Sequence, residues 1–151
     1  MRRSVKSPNG AWLVLASLLT GCAPVGWARL EGADLTKLQT PELCQGFYDA
    51  SQPAFPKGTN SALQERIGQV LVERRMLTEP DLRRMRSGQL RVGDNLCHAL
   101  AAWGRPESVN RTATTYGESQ QWVYPEYAGT YWTGRSRYLY LEKGRVTAIQ
   151  N

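Results

Sequence analysis

The sequence predicts an α+β fold: N-terminal helices followed by a three- to four-stranded antiparallel sheet, with helices packed on one face. Between residues 40 and 103, apolar residues recur at helical spacing in runs that open on capping residues. After Pro106 the period changes to two, with Trp122 and Tyr124 on one side of a run and Gln121 and Val123 on the other. Lys143-Gly144 then separates two alternating runs as a hairpin turn, a weaker form of the Asn-Gly signal. Helices first and strands after place the helical layer on one side of an antiparallel sheet.

The chain begins with Arg2, Arg3 and Lys6, then a short apolar run from Ala11 to Leu19. A basic start, an apolar stretch and small residues at a cut read as a secretory signal over residues 1–21, too short to span a bilayer. Leu19-Thr20-Gly21-Cys22 resembles the lipobox of bacterial lipoproteins, which implies that Cys22 is acylated and becomes the first residue of the mature chain. Residues 22–39 carry Pro24, Gly26 and Gly32 with no sustained period and read as a flexible tether, with Trp27 and Leu30 either at the bilayer surface or in a partly ordered arm. A single periplasmic domain is expected over 40–151, with a helical leader at 40–77.

Thr40-Pro41-Glu42 opens the first helix, with Thr40 as cap, Pro41 in the first turn and Leu43, Phe47 and Ala50 on one face beside Cys44 and Tyr48. Pro53 and Pro56 end it. Thr59-Asn60-Ser61 caps a second helix with Leu63, Ile67, Val70 and Leu71 inward. Thr78-Glu79-Pro80-Asp81 starts a short third helix with Leu82 and Met85 inward, which Gly88 closes. Gln89 to Gly93 reads as extended, and Asp94 as the cap of a helix carrying Leu96, Cys97, Leu100, Ala101 and Trp103. Gly104 and Pro106 stop that helix.

The strands follow. Ser108 to Thr115, with three threonines and Val109, reads as a strand, Tyr116-Gly117-Glu118 turns it, and Gln120 to Tyr124 continues. Pro125 to Ser136 reads as a polar and aromatic loop. Arg137 to Glu142 alternates again, and Val146 to Gln150 returns as the last strand.

Cleavage before Cys22 leaves 130 residues and removes three of the 19 basic and none of the 13 acidic residues, lowering the net charge from +6 to about +3. That value gives little support to nucleic acid as a partner. Once Cys22 carries lipid, Cys44 and Cys97 remain. In an oxidising compartment such a pair is a disulfide candidate, the alternative being two separately buried thiols.

The C-terminal part, residues 78–151, resembles the SmpA/OmlA (BamE-like) family of small outer-membrane lipoproteins. The residues that carry the likeness are Val92-Gly93, Leu100, Trp103-Gly104-Arg105-Pro106, Val109-Asn110, Gln121-Trp122-Val123-Tyr124 and the run from Tyr138 to Ile149. The resemblance implies two helices on a three-stranded antiparallel sheet and a place beside the machinery that inserts β-barrels into the outer membrane. The sequence departs from the family at Gly93-Asp94-Asn95, where Gly-Met-Thr is usual, and in its helical leader.

No catalytic constellation emerges. His98 is the lone histidine, and helical neighbours such as Cys97 and His98 do not face each other. One histidine and scattered carboxylates make no zinc site, and no cofactor motif is present. The basic group Arg74, Arg75, Arg83, Arg84, Arg86 and Arg91 reads either as a surface for anionic headgroups or an acidic partner, or as a solvated helix face. The candidate binding face is the aromatic set Trp122, Tyr124, Tyr138 and Tyr140, placed on the open side of the sheet with Val123, Leu139 and Leu141 buried, unless the rings are themselves core.

The expectation is a non-enzymatic lipoprotein of the outer membrane. Its N-terminal lipid holds it to the membrane, and its periplasmic domain binds another envelope protein in outer-membrane protein assembly or envelope integrity. No cofactor, metal or nucleic acid is expected. The alternative is a small inhibitor or ligand-binding lipoprotein that uses the same aromatic face. Outer-membrane placement rests on Ala23 following the acylated cysteine, where an aspartate would favour inner-membrane retention in enterobacteria.

Overall fold

The computed structural model describes residues 26–53, 58–115, 117–128 and 130–151. The signal segment, Cys22 with the residues up to 25, loop residues 54–57 (Pro56 and Lys57 among them), Tyr116 and Gly129 lie outside them. Two short 3-10 helices, Gly26–Leu30 and Leu35–Lys37, precede α1 (Thr40–Ser51), α2 (Ser61–Glu73), α3 (Glu79–Arg86) and α4 (Leu96–Trp103). The strands β1 (Ser108–Thr114), β2 (Gly117–Ala128), β3 (Tyr131–Glu142) and β4 (Arg145–Gln150) form one antiparallel meander in the order β1-β2-β3-β4. The fold is α+β, with the helices ahead of the sheet and packed against it.

Capping chemistry sets most helix starts. The Asn60 side chain accepts from the Leu63 amide at α2, and Thr78 with Asp81 forms a reciprocal capping box at α3. Two predicted caps move by one residue. Gln39, not Thr40, precedes α1 and makes no side-chain cap, because Pro41 near the helix start already removes one orphan donor. Asn95, not Asp94, caps α4: its Oδ1 accepts from the His98 amide while His98 Nδ1 accepts from the Asn95 amide. His98 is thereby a capping residue.

Asp94 turns inward instead, at 9% exposure. Arg84 reaches it with two N–H···O contacts of 3.0 Å and reaches Asp81 with a third of 2.7 Å. The Arg91 amide donates to Asp94 Oδ2 at 2.8 Å. The Asp94 carbonyl accepts from Val146 N, and the Val146 carbonyl accepts from Gly93 N, so the network that closes α3 onto α4 also holds the start of β4. The predicted extended piece from Gln89 to Gly93 is thus a turn shaped around one carboxylate.

The expected tether is folded from Gly26 onward. Trp27, Leu30 and Leu35 are buried at 2%, 2% and 5% exposure. Burial of such side chains is worth about 1.5–3 kcal/mol each, which offsets part of the cost of ordering the strap. Polar contacts hold it as well: Trp27 Nε1 donates to the Gly58 carbonyl, Arg29 pairs with Glu42 and Asp49, and Arg74 donates to the Leu38 and Thr36 carbonyls. The strap's glycines shape its turns rather than loosen it. Gly46 on α1 lets it lie close, since a Cβ there would stand 2.5 Å from Leu30 Cδ1.

α1 is the centre of the helical layer, with Leu43, Cys44, Phe47 and Ala50 all at 0% exposure. Cys44 on α1 is bonded to Cys97 on α4, across 53 positions of sequence. Gly104 closes α4 at φ 72°, the left-handed region that favours glycine, with the Tyr48 ring against it so that a Cβ would stand 2.6 Å from that ring. The Tyr124 hydroxyl donates to the Gly104 carbonyl, and burial pushes that phenol above its usual range. Trp103 meets Tyr124 edge-to-face at 5.3 Å between centroids. These contacts seat the helices on the sheet.

Two expectations about the sheet are corrected. Pro125 to Ser136 is not a loop: β2 continues to Ala128 and β3 begins at Tyr131, with a register shift between Pro125 and Tyr127. The four-ring face also divides. Trp122 pairs with Leu139 and Val123 with Tyr138, so Trp122 and Tyr124 share the helix-facing side with Leu139 and Leu141, while Tyr138 and Tyr140 share the open side with Val123. The open set Trp122, Tyr124, Tyr138 and Tyr140 needed even-numbered residues of the two strands opposite one another; the register pairs even with odd. One residue of register decides which face a side chain takes. Trp122 and Tyr124 are accordingly buried at 6% and 7% exposure.

Candidate functional site

The open side of the sheet is a hydrogen-bonded surface. Asn110 Nδ2 donates to Gln121 Oε1, Gln121 Nε2 donates to the Tyr140 hydroxyl, and that hydroxyl donates to Gln150 Oε1. The chain crosses all four strands, with separations of 2.9, 2.9 and 3.2 Å. Tyr138 and Tyr140 are half-buried among these amides. With its donors and acceptors turned on one another, this face offers a partner less than four open rings would.

The exposed aromatics lie elsewhere. β1 stops pairing at Ser108↔Val123 and β4 at Gln150↔Tyr138, so the distal halves of β2 and β3 continue as a two-stranded arm beyond the sheet. Tyr127, Tyr131 and Trp132 stand on this arm at 52%, 80% and 61% exposure, and Tyr127 and Trp132 are cross-strand neighbours. An isolated two-stranded ribbon is marginal in water, and local hydrogen bonds brace this one. The Tyr127 hydroxyl donates to Glu107 Oε2 at 2.8 Å, which raises the phenol above its ordinary value, the hydrogen bond being the largest cause. Trp132 Nε1 donates to the Arg135 carbonyl, and the Thr133 hydroxyl donates to the Glu126 carbonyl. Pro125, with no N–H to offer, interrupts the β2 side of the arm. Along β3, Tyr131 to Ser136 have β2 as their only strand neighbour among the described residues. The arm therefore presents large amphipathic rings beside an open strand edge, the composition and geometry of a protein contact.

Of the predicted sites, Cys22 lies outside the described residues, Cys44 and Cys97 are joined, and Trp122 and Tyr124 belong to the core. The aromatic richness of residues 125–136 was visible in the sequence, but the strands that carry it were not. Half of the basic group is used internally: Arg74 on the strap, Arg84 on Asp81 and Asp94, and Arg86 on Glu65. Arg75, Arg83 and Arg91 remain exposed. Cys97 has no thiol to offer a neighbouring base. Among the described residues no group of three or more His, Cys, Asp or Glu is arranged to hold a metal ion. Comparison with family models, curated proteins and solved structures finds no match.

Proposed function

We propose that this chain is a non-enzymatic lipoprotein of the outer membrane, of the SmpA/OmlA kind. It is anchored through Cys22, and its periplasmic domain binds another envelope protein through the β2–β3 arm. The observation that carries the reading is the arm itself, three exposed rings braced on a disulfide-clamped body. Single exposed apolar residues are ordinary, whereas rings gathered on a projection mark a contact site. No helix among the described residues is long and apolar enough to cross a membrane.

Photo-crosslinking in cells from position 128, an exposed arm residue opposite Tyr131, is expected to trap a discrete envelope protein. The double variant Tyr131→Ser/Trp132→Ser should abolish its recovery while shifting unfolding free energy by no more than about 0.5 kcal/mol, as surface changes do. Equal recovery from the variant would remove the arm as the contact. Metabolic labelling with a clickable palmitate should mark the wild-type chain and fail on Cys22→Ser; persistent labelling of that variant would overturn the anchor.

A further inference from the structure

A cleft of about 290 Å³ lies where α1, the end of α4 and the base of the arm meet. Gln45 and Tyr48 of α1 form one wall, Trp103 and Arg105 another, and Tyr124 and Arg137 of the sheet a third. Its size is at the lower end of the range for ligand pockets, suited to the end of a chain more than to a whole ligand.

Its chemistry is one-sided. The Arg137 guanidinium carbon lies over the Trp103 ring, 4.4 Å from its centroid, a cation–π contact that holds the group at the cleft. Among the described residues, neither Arg137 nor Arg105 has an ion-pair or hydrogen-bond partner, unlike Arg29, Arg84 and Arg86 on the same body. The one acid in the wall, Glu107, already accepts from the Tyr127 hydroxyl. Two arginines facing one occupied carboxylate leave the wall with a net positive charge and a demand for an anion.

Gln45 adds a second demand. It is 6% exposed, and its Nε2 donates to Asp49 Oδ1 at 2.8 Å. Because a carboxylate only accepts, this bond fixes which end of the amide is nitrogen. Gln45 Oε1 is then buried with no donor, the only such side-chain atom among the described residues. A buried acceptor without a donor is a standing cost that an incoming N–H removes. The atom is closed to solvent, so meeting that donor takes a change of Gln45 rotamer that carries the whole amide away from Asp49 and into the cleft. Asp49 keeps Arg29 when it does.

We infer that this cleft is a receptor site for a peptide carboxylate, held by Arg105 and Arg137, with a neighbouring peptide N–H donated to Gln45. A bare inorganic anion satisfies the arginines and not the glutamine; a peptide satisfies both. The carboxylate has two sources, a chain terminus or an Asp or Glu side chain. The inference depends neither on the lipid anchor nor on the arm binding a partner.

The test is an NMR titration of the full-length protein in detergent, read at the Trp103 indole N–H. Three probes separate the cases: acetyl-trialanine with a free carboxyl, its C-terminal amide, and amidated acetyl-Ala-Asp-Ala. A saturable shift with the free acid, and at least a tenfold weaker response to the trialanine amide, are expected. Arg105→Gln, at an exposed position, should keep its melting temperature and bind the acid at least tenfold more weakly. Gln45→Leu should keep its melting temperature and also bind the acid more weakly. Tight binding of the Asp peptide assigns the carboxylate to a side chain; weak binding of it assigns the carboxylate to a terminus. Equal response to acid and amide overturns the inference, as does undiminished binding by Arg105→Gln or no saturable shift at all.

Discussion

Replacing Cys44 and Cys97 together by alanine is expected to lower the unfolding free energy by about 4 kcal/mol, the largest loss foreseen for any change confined to one interaction. The bond joins the first long helix to the last across 53 positions, so the reduced unfolded chain regains the entropy of a long open loop. Both sulfurs sit in the core, at 0% and 4% exposure. Reduction without substitution therefore leaves two thiols that still pack as small apolar groups, and it isolates the chain-entropy part of the effect. Small domains hold about 5–15 kcal/mol in all. The double variant should thus retain its fold with a midpoint in urea well below that of the oxidised protein. Paired urea titrations with and without reductant supply the measurement. A difference under 1 kcal/mol would mean that packing of α1 on α4 already restrains the unfolded chain.

That clamp was legible in the sequence, and the reason is local chemistry. Cys44 and Cys97 each fell on an apolar stripe, and counting cysteines after the proposed cut left them as a pair. Asn60, Thr78 and Gly104 were readable for the same reason, since a cap or a left-handed stop depends on a few adjacent residues. The inner faces of α1, α2 and α3 followed from spacing alone.

What escaped was set by contacts distant in sequence. Trp122 and Tyr138 were assigned to one face because each alternates correctly within its own strand. Nothing within either strand states whether Trp122 will lie opposite Tyr138 or Leu139, and that one-residue choice moved half the proposed face into the core. Pro125 and Gly134 resembled loop punctuation, yet the strands absorb them by a register shift between Pro125 and Tyr127 and pair on to Ala128↔Tyr131. The strap failed for a related reason. Trp27, Leu30 and Leu35 have no helical or strand period, and their burial against α1 and its neighbours is a tertiary fact. The candidate site was therefore visible as composition and hidden as geometry.

Arg84→Met is the second large expected loss, about 3–5 kcal/mol, and it carries its own pH signature. Among the described residues, Arg84 is the only cation making hydrogen bonds to both Asp81 and Asp94, whose side chains are 19% and 9% exposed. Removing it strands two carboxylates about a core position. Burial by itself raises the pKa of each acid. At Asp81 the hydrogen bonds from Thr78 and Arg84 outweigh that effect. At Asp94 the bonds from Arg84 and the Arg91 amide do the same. Both carboxyls therefore lie below the ordinary value of 3.8 in the folded state. A depressed folded value means that the unfolded chain takes up protons first as pH falls. The stabilisation is present in full above the ordinary carboxylate range and drains away as pH drops through 3.8 and below. In the variant, the burial penalty survives with the cation gone, the folded values move upward, and protonation relieves the strain. Wild type should lose stability steadily on acidification, while Arg84→Met loses far less over the same interval, so the two curves converge at low pH. Urea unfolding at neutral pH and at several steps downward from pH of about 5 measures this. Parallel curves would show that Arg84 acts by packing its aliphatic stem and not by its charge.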